Sequence, residues 1–139
     1  MNTEFSFIVI DDSDLDCFVI QKVIEYTDKS LSIKTYQNAQ HALKTIRKNK
    51  RGKSKPPIII FLDIQMPMMN GSEFVEEFEK LPPEVQKNYL IVILSILSST
   101  AMPLDINRKL INGKINNIVE KPLTIEKLLS LLNKLKSAI

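Results

Sequence analysis

Four apolar runs of the chain end in polar side chains that could do chemistry together. Asp11 and Asp12 follow the first of these runs, Asp63 follows the second, serines close the third, and Lys121 follows the fourth. If each run is a strand of a parallel α/β sheet, the polar groups meet at the sheet edge where ligands bind. Three carboxylates, a hydroxyl and an amine at that edge could hold a divalent cation and accept a phosphoryl group.

The carboxylates predict a metal site because three like charges in one place are unfavourable without a counter-charge. A hard divalent cation bound by oxygen ligands supplies that charge, and Mg²⁺ is the natural candidate. Asp63 then suits a nucleophile that forms an aspartyl phosphate, with the Lys121 amine paired to a phosphate oxygen. The acids after Asp12 have a simpler interpretation, since Asp14 and Asp16 suit the first turn of a helix.

Strand-like and helix-like segments alternate along the chain, roughly five of each. The first, third and fourth strands are apolar, as central strands covered on both faces are, whereas the second and fifth carry polar residues typical of edges. The pattern predicts the α/β class, namely a flavodoxin-like doubly wound (βα)5 fold. Its five-stranded parallel sheet has the order 2-1-3-4-5, with helices on both faces. The fourth strand is predicted at residues 90–97, and the third helix is predicted to stop near Pro82 and Pro83.

Length and composition indicate one globular domain over residues 1–139. A net charge of +3 is too small to indicate nucleic-acid binding. The basic stretch at residues 47–55 lacks interleaved aromatic side chains, so we expect an exposed loop without direct nucleic-acid contact. Cys17 is the only cysteine, and the N-terminus lacks the basic and apolar regions of a signal peptide. We therefore expect a cytoplasmic protein without membrane insertion.

Together these motifs resemble a response regulator receiver domain of two-component signalling. The resemblance covers essentially the whole chain and is carried by residues 8–12 (IVIDD), 61–71 (FLDIQMPMMNG) and 120–122 (EKP). It implies a stand-alone phosphoacceptor in a phosphorelay rather than an enzyme, apart from self-catalysed phosphoryl transfer and dephosphorylation. The implied phosphoryl donor is a sensor histidine kinase or a phosphotransfer protein.

The resemblance also implies a role for each residue that matches the family pattern. Asp63 is the implied phosphoacceptor and a metal ligand. Asp12 is implied as a direct Mg²⁺ ligand, Asp11 acts largely through water, and the backbone carbonyl of Gln65 completes the protein's share of the coordination. Lys121 is expected to contact both the phosphate and the Asp63 carboxylate.

The hydroxyl that such a domain places at the end of its fourth strand, followed by a small residue, has two candidates. Ser98 is preferred, because its distance in sequence to Lys121 is closer to the usual family spacing and the small Ser99 follows it. Ser95 is the alternative, although the bulky Ile96 that follows it would crowd a phosphate.

The fifth strand departs from the family pattern, which usually has an aromatic residue three positions before the lysine. Ile118 occupies that position here, so the usual coupling of hydroxyl movement to a ring flip is not expected in its familiar form. The chain ends soon after the last predicted helix, from which we expect output through protein contacts rather than an attached domain. By analogy with the family, the contact face comprises the fourth predicted helix, at residues 103–110, together with the fifth strand and the last helix. A homodimer is left open.

Two other functions fit parts of the pattern less well. The segment Asp12-Ser13-Asp14 superficially fits the nucleophile motif of haloacid-dehalogenase-type phosphatases, but that class usually needs a larger chain and a later acidic metal pair. A pseudo-receiver that binds partners without phosphorylation is disfavoured, because the key carboxylates and the lysine are all present.

Overall fold

A computed structural model describes residues 5–48, 56–98 and 100–138, in which strands and helices alternate. The strands are β1 (Ser6–Ile10), β2 (Ile33–Tyr36), β3 (Ile58–Asp63), β4 (Tyr89–Ser95) and β5 (Asn117–Glu120). The helices are α1 (Asp14–Thr27), α2 (Ala39–Lys48), α3 (Gly71–Glu79), α4 (Pro83–Gln86), α5 (Leu104–Ile111) and α6 (Ile125–Ala138).

All strand pairs in the sheet are parallel, and the order is β2-β1-β3-β4-β5. The predicted fold class and strand order are thus confirmed. β3 is buried along nearly its whole length, whereas β2 and β5 have no fully buried residue. Hydrophobic strands therefore occupy the centre of the sheet, where helices cover both faces, and the polar strands form its edges.

Alternate side chains of the central strands enter two separate hydrophobic cores, because successive side chains of a strand point to opposite faces. Ile60 and Leu62 of β3 belong to the core beneath α2, α3 and α5. Phe61 belongs to the core beneath α1 and α6, where its ring stacks on Phe7 with centroids 5.8 Å apart. Both helical layers thus fix the position of β3, whose last residue is Asp63.

The structure has one short helix that the sequence did not predict, and one strand ends earlier than predicted. α3 ends before the Pro82-Pro83 pair, as predicted, but Pro83 then begins the additional short helix α4. Proline is tolerated in the first turn of a helix, because the backbone N–H groups there have no acceptor within the helix. β4 ends at Ser95 rather than continuing to residue 97. The backbone N–H of Leu97 donates to the Ser95 hydroxyl at 3.0 Å, which turns the chain out of the strand and leaves Ile96 exposed.

Most of the basic stretch lies outside the described residues, since the description stops at Lys48 and resumes at Pro56. The prediction of an exposed loop there therefore stays a prediction, as does the single-domain boundary at residues 1–139. Among the described helices, none combines the length and apolar character required to cross a bilayer.

Candidate functional site

Three carboxylates meet at the C-terminal edge of the sheet. One carboxylate oxygen from each of Asp11, Asp12 and Asp63 lies within 4.8 Å of the others. Their proximity follows from the register of β1 and β3, in which Ile10 is paired with Leu62. An aspartate follows each of these two residues in the chain. Asp11 is buried and Asp12 is exposed, so the cluster has one side open to solvent. Oxygen donors in this number and arrangement suit a hard divalent cation such as Mg²⁺.

Lys121 provides the positive charge nearest to these carboxylates. Its Nζ lies 2.8 Å from Asp11 Oδ2, 2.8 Å from Asp16 Oδ2 and 3.5 Å from Asp63 Oδ1. The Lys121 backbone N–H donates to the Ser95 carbonyl at 2.8 Å, which continues the β4–β5 pairing by one residue. On the other side of the turn, Lys127 Nζ donates to the carbonyls of Glu120 and Pro122, at 2.8 and 3.0 Å. The segment that bears the amine is thus tied to β4 and α6.

Burial and charge shift the pKa values of Asp63 and Lys121. Burial raises the pKa of Asp63, and the negative charge of Asp11 adds to this rise; Lys121 and the backbone N–H of Gln65 oppose it only in part. Burial by itself lowers the pKa of Lys121, but hydrogen bonds to Asp11 and Asp16 outweigh that effect, so its pKa ends above the ordinary lysine value. Lys121 therefore stays protonated at neutral pH, whereas ionisation of Asp63 is less favourable than that of an ordinary aspartate.

Asp11 also organises the start of α1. Its Oδ1 accepts the backbone N–H of Ser13 at 3.0 Å, and its carbonyl accepts the Cys17 thiol at 3.3 Å. Ser13 is the N-cap of α1, with its hydroxyl accepting the Asp16 N–H at 3.2 Å. The carboxylates that could hold a metal are thus joined directly to the first turn of this helix.

Asp16 also belongs to the site, although the sequence predicted for it only a place in the first turn of a helix. It is the third residue of α1, and its carboxylate accepts a hydrogen bond from Lys121. Helical side chains lean toward the N-terminus of their helix, so an acid in the first turn points back toward the end of the preceding strand. That rule, applied to α1, was the available signal for including Asp16.

The loop after Asp63 returns closely to the strand end. The Gly71 N–H donates to the Ile64 carbonyl at 2.8 Å, and a Cβ at Gly71 would lie 2.9 Å from the Ile64 Cα and 3.1 Å from the Asp63 carbonyl oxygen. Asn70 and Glu73 form a capping box that fixes the first turn of α3. Gly71 is therefore required because no side chain fits between α3 and the backbone of Asp63.

The two candidate hydroxyls lie in different environments. Ser95 is buried at the end of β4, one residue beyond Leu94, which is paired with Asp63. Ser98 is exposed, and its hydroxyl lies 3.0 Å from that of Thr100. Ile118, at the position that is usually aromatic, is half-buried against the core beneath α2, α3 and α5.

An apolar groove of about 280 Å³ adjoins the carboxylate cluster, and Asp16 and Lys121 line both the groove and the site. Leu15 and Val19 of α1 line one side of this groove, and Ile96 lines another. Leu15 and Ile96 are among the most exposed hydrophobic side chains of the described residues. The site is therefore open to solvent beside an apolar surface.

Comparison with known proteins agrees with this fold. The profile of the response regulator receiver domain matches residues 7–133. A response regulator receiver protein from Dyadobacter fermentans is 32% identical, with a TM-score of 0.77 and coverage of 94% of this chain and 96% of its own. A two component response regulator from Cytophaga hutchinsonii is 26% identical, with a TM-score of 0.78 and coverage of 98% and 99%.

A more distant structure, the chemotaxis protein CheY4 from Vibrio cholerae, shares the fold at 20% identity, with a TM-score of 0.69 and coverage of 94% of this chain and 98% of its own. Comparison with curated proteins gave no match. Because the family profile spans nearly the whole described sheet and its helices, the chain belongs to the response regulator receiver domain family.

Proposed function

We propose that this protein is a phosphoacceptor of a two-component phosphorelay, with Asp63 as the residue that receives the phosphoryl group. The observation that supports this most directly is the meeting of Asp11, Asp12 and Asp63 within 4.8 Å, with the Lys121 amine 3.5 Å from Asp63. Phosphoryl transfer depends mainly on positioning and on neutralising charge, and this set of residues offers both.

The proposed metal is Mg²⁺, held by the carboxylates of Asp11, Asp12 and Asp63 and by the backbone carbonyl of Gln65. When bound, it would neutralise charge on the transferring group. An Asp63 carboxylate oxygen attacks the donor phosphorus, the bond from phosphorus to the donor breaks, and the departing group takes the bonding electron pair. Lys121 donates a hydrogen bond to a phosphoryl oxygen. The protein turns over no other substrate in this proposal, apart from its own phosphorylation and dephosphorylation.

We favour Ser95 as the hydroxyl that binds the phosphoryl group, which reverses the preference for Ser98 drawn from sequence spacing. The support is positional, since Ser95 ends the strand beside Asp63 and Ser98 lies beyond it among exposed residues. Substituting Ser95 with alanine is expected to slow phosphorylation, whereas Ser98→Ala leaves the rate unchanged. Loss in Ser98→Ala alone would return the role to Ser98, and equal rates for the two variants would remove the preference for Ser95.

Intact-mass spectrometry after incubation with acetyl phosphate tests the central proposal. We expect one added phosphoryl group in the presence of Mg²⁺, none with EDTA, and none in the Asp63→Asn variant. Asp14→Asn is the matched control, because it removes an exposed acid two residues beyond Asp12 without altering the carboxylate cluster. Labelling of Asp63→Asn to the wild-type level would defeat the proposal.

The proposed partners are a sensor histidine kinase or phosphotransfer protein as donor and a downstream protein as target. Phosphorylation would shift an existing equilibrium between two conformations and thereby change a contact surface. We place output on the face formed by α5, β5 and α6, where Leu104 and Ile111 of α5 are exposed hydrophobic residues. Chemical-shift changes on adding the phosphoryl mimic beryllofluoride should concentrate on that face.

A cytoplasmic location stays a prediction from the N-terminal sequence, and the formation of a homodimer stays open.

A further inference from the structure

The Lys121 amine is held more closely by two acids at the end of β1 and the start of α1 than by Asp63, the proposed phosphoacceptor. Its two contacts at 2.8 Å are to Asp11 and Asp16, whereas its distance to Asp63 is 3.5 Å, at the limit of a hydrogen bond. An ammonium group has three N–H donors, and the three carboxylates already occupy them. A phosphoryl oxygen on Asp63 would replace the long contact to Asp63, and drawing the amine toward that oxygen must also loosen one of the two contacts at 2.8 Å.

Burial determines which partner is displaced at the least cost. The Lys121–Asp11 pair is nearly inaccessible to water, with side chains 12% and 2% exposed. Separating such a pair strands a buried charge and is strongly unfavourable. Asp16 is 39% exposed, so water can solvate its carboxylate as soon as the amine leaves. An ion pair that water can reach contributes less to stability than a fully buried one, which makes the contact with Asp16 the weaker of the two close contacts.

We propose that Asp16 is a positioning residue, which retains the Lys121 amine on the α1 side of the site and releases it when a phosphoryl group binds to Asp63. This inference rests on the proposed function. The backbone of Asp16 is fixed by the Ser13 cap, so the exchange needs only a rotation of the Asp16 and Lys121 side chains. Asp16 therefore favours the unphosphorylated arrangement and sets part of the cost of leaving it.

Release of Lys121 also changes the apolar groove beside the site. Asp16 and Lys121 both line this groove, together with Leu15, Val19 and Ile96. While the ion pair is closed, the two charges compensate each other at the groove wall. Once Lys121 has turned to the phosphoryl group, Asp16 presents an unpaired carboxylate between exposed hydrophobic residues. The charge of this surface thus depends on the occupancy of Asp63.

Titration with beryllofluoride in saturating Mg²⁺ tests the proposal with four proteins: the wild type, Asp16→Asn, Asp16→Glu and Asp14→Asn. Asp16→Asn should bind the mimic about threefold more tightly than the wild type, the effect of losing one partly exposed ion pair. Asp16→Glu should behave like the wild type, because the longer carboxylate can still reach Lys121. Asp14→Asn removes the same charge from the same helical turn, where Asp14 contacts Gln37 rather than Lys121, and should leave the affinity unchanged.

A structural readout separates positioning from a general charge effect. The NMR signal of the Lys121 ε-methylene, assigned by its loss in Lys121→Arg, should shift when beryllofluoride binds to the wild type. In free Asp16→Asn it should already lie part of the way toward the bound position, whereas in free Asp14→Asn it should match the wild type. Unchanged Lys121 signals in free Asp16→Asn, or equal affinities for Asp16→Asn and Asp14→Asn, overturn the inference alone. Failure of the wild type to bind beryllofluoride defeats the proposed function as well.

Discussion

Replacing Lys121 with methionine leaves Asp11 and Asp63 without the ammonium that lies near both. Breaking a buried ion pair by removing one partner costs about 3–5 kcal/mol, because the other charge stays uncompensated. Asp11 is only 2% exposed, but the cluster is open to solvent at Asp12. We therefore expect a loss of about 2–3 kcal/mol in EDTA, below the fully buried limit. For a chain of this size, that loss lowers Tm by roughly 6–12 °C.

Mg²⁺ should reverse most of this loss, because a divalent cation among the same carboxylates takes over the neutralisation that Lys121 provides. The assay is thermal unfolding followed by circular dichroism, in EDTA and in saturating Mg²⁺. Lys109→Met is the matched control. Lys109 pairs with Glu79 at 2.8 Å between α5 and α3, and that pair is partly exposed and independent of the carboxylate cluster. Its loss should be smaller and the same in both buffers.

Two outcomes would refute the reasoning behind this prediction. One is a Tm for Lys121→Met that equals that of the wild type in EDTA, which would mean that the amine does not compensate Asp11. The other is a Tm difference that Mg²⁺ leaves unchanged, as expected for Lys109→Met. The carboxylates would then not share one cation site with the amine.

Three further predictions concern the charge of Asp63, the close approach of Gly71 and the burial of Cys17. Since the raised pKa of Asp63 makes the native state bind more protons than the unfolded state, stability in EDTA should fall as pH rises from the ordinary aspartate pKa through the raised one. Asp63→Asn should remove that fall and raise Tm at neutral pH, and an unchanged pH profile would contradict the cause given. Gly71→Ala should cost about 1–3 kcal/mol and weaken Mg²⁺ binding, because its Cβ meets the backbone of Asp63 and Ile64. Gly113→Ala, at a positive φ of 79° with nothing within 4 Å of the added Cβ, should cost about 1–2 kcal/mol in urea titration and leave Mg²⁺ affinity unchanged. Burial raises the pKa of Cys17 to about 11, so its native-state reaction with a thiol reagent at pH 8 should be about 100-fold slower than that of an unfolded chain, and equal rates would show that the thiol is accessible.

Most of the fold could be predicted because the strands differ in polarity. The apolar runs before Asp63 and Ser95 suggested central strands, and the polar second and fifth strands suggested edges, which matches the flavodoxin-like order that the sheet has. The meeting of Asp11, Asp12 and Asp63 then followed from the parallel arrangement, since Asp63 ends β3 and the two other aspartates are the first two residues after the neighbouring strand β1.

Features that depend on side-chain direction and local turns could not be predicted in the same way. The contact of Asp16 with Lys121 joins residues 105 apart in sequence, and an acid in the first turn of a helix already had a sufficient local explanation. The end of β4 at Ser95 depends on a single hydrogen bond to the Leu97 amide, which apolar patterning does not reveal. Sequence spacing to Lys121 therefore favoured Ser98, whereas burial at the strand end favours Ser95.

The pairing of Lys121 with Asp11 joins residues that are 110 positions apart, which has a consequence for the order of synthesis. A ribosome produces Asp11, Asp12 and Asp63 long before it produces β5 and the amine. A nascent chain that has emerged only as far as α5 thus holds the acidic groups of the cluster and lacks the lysine that neutralises them. Until the last strand is added to the sheet, cations from solution are the counter-charge available to that edge, so under the proposed Mg²⁺ site the metal would neutralise these carboxylates during folding as well as during phosphoryl transfer.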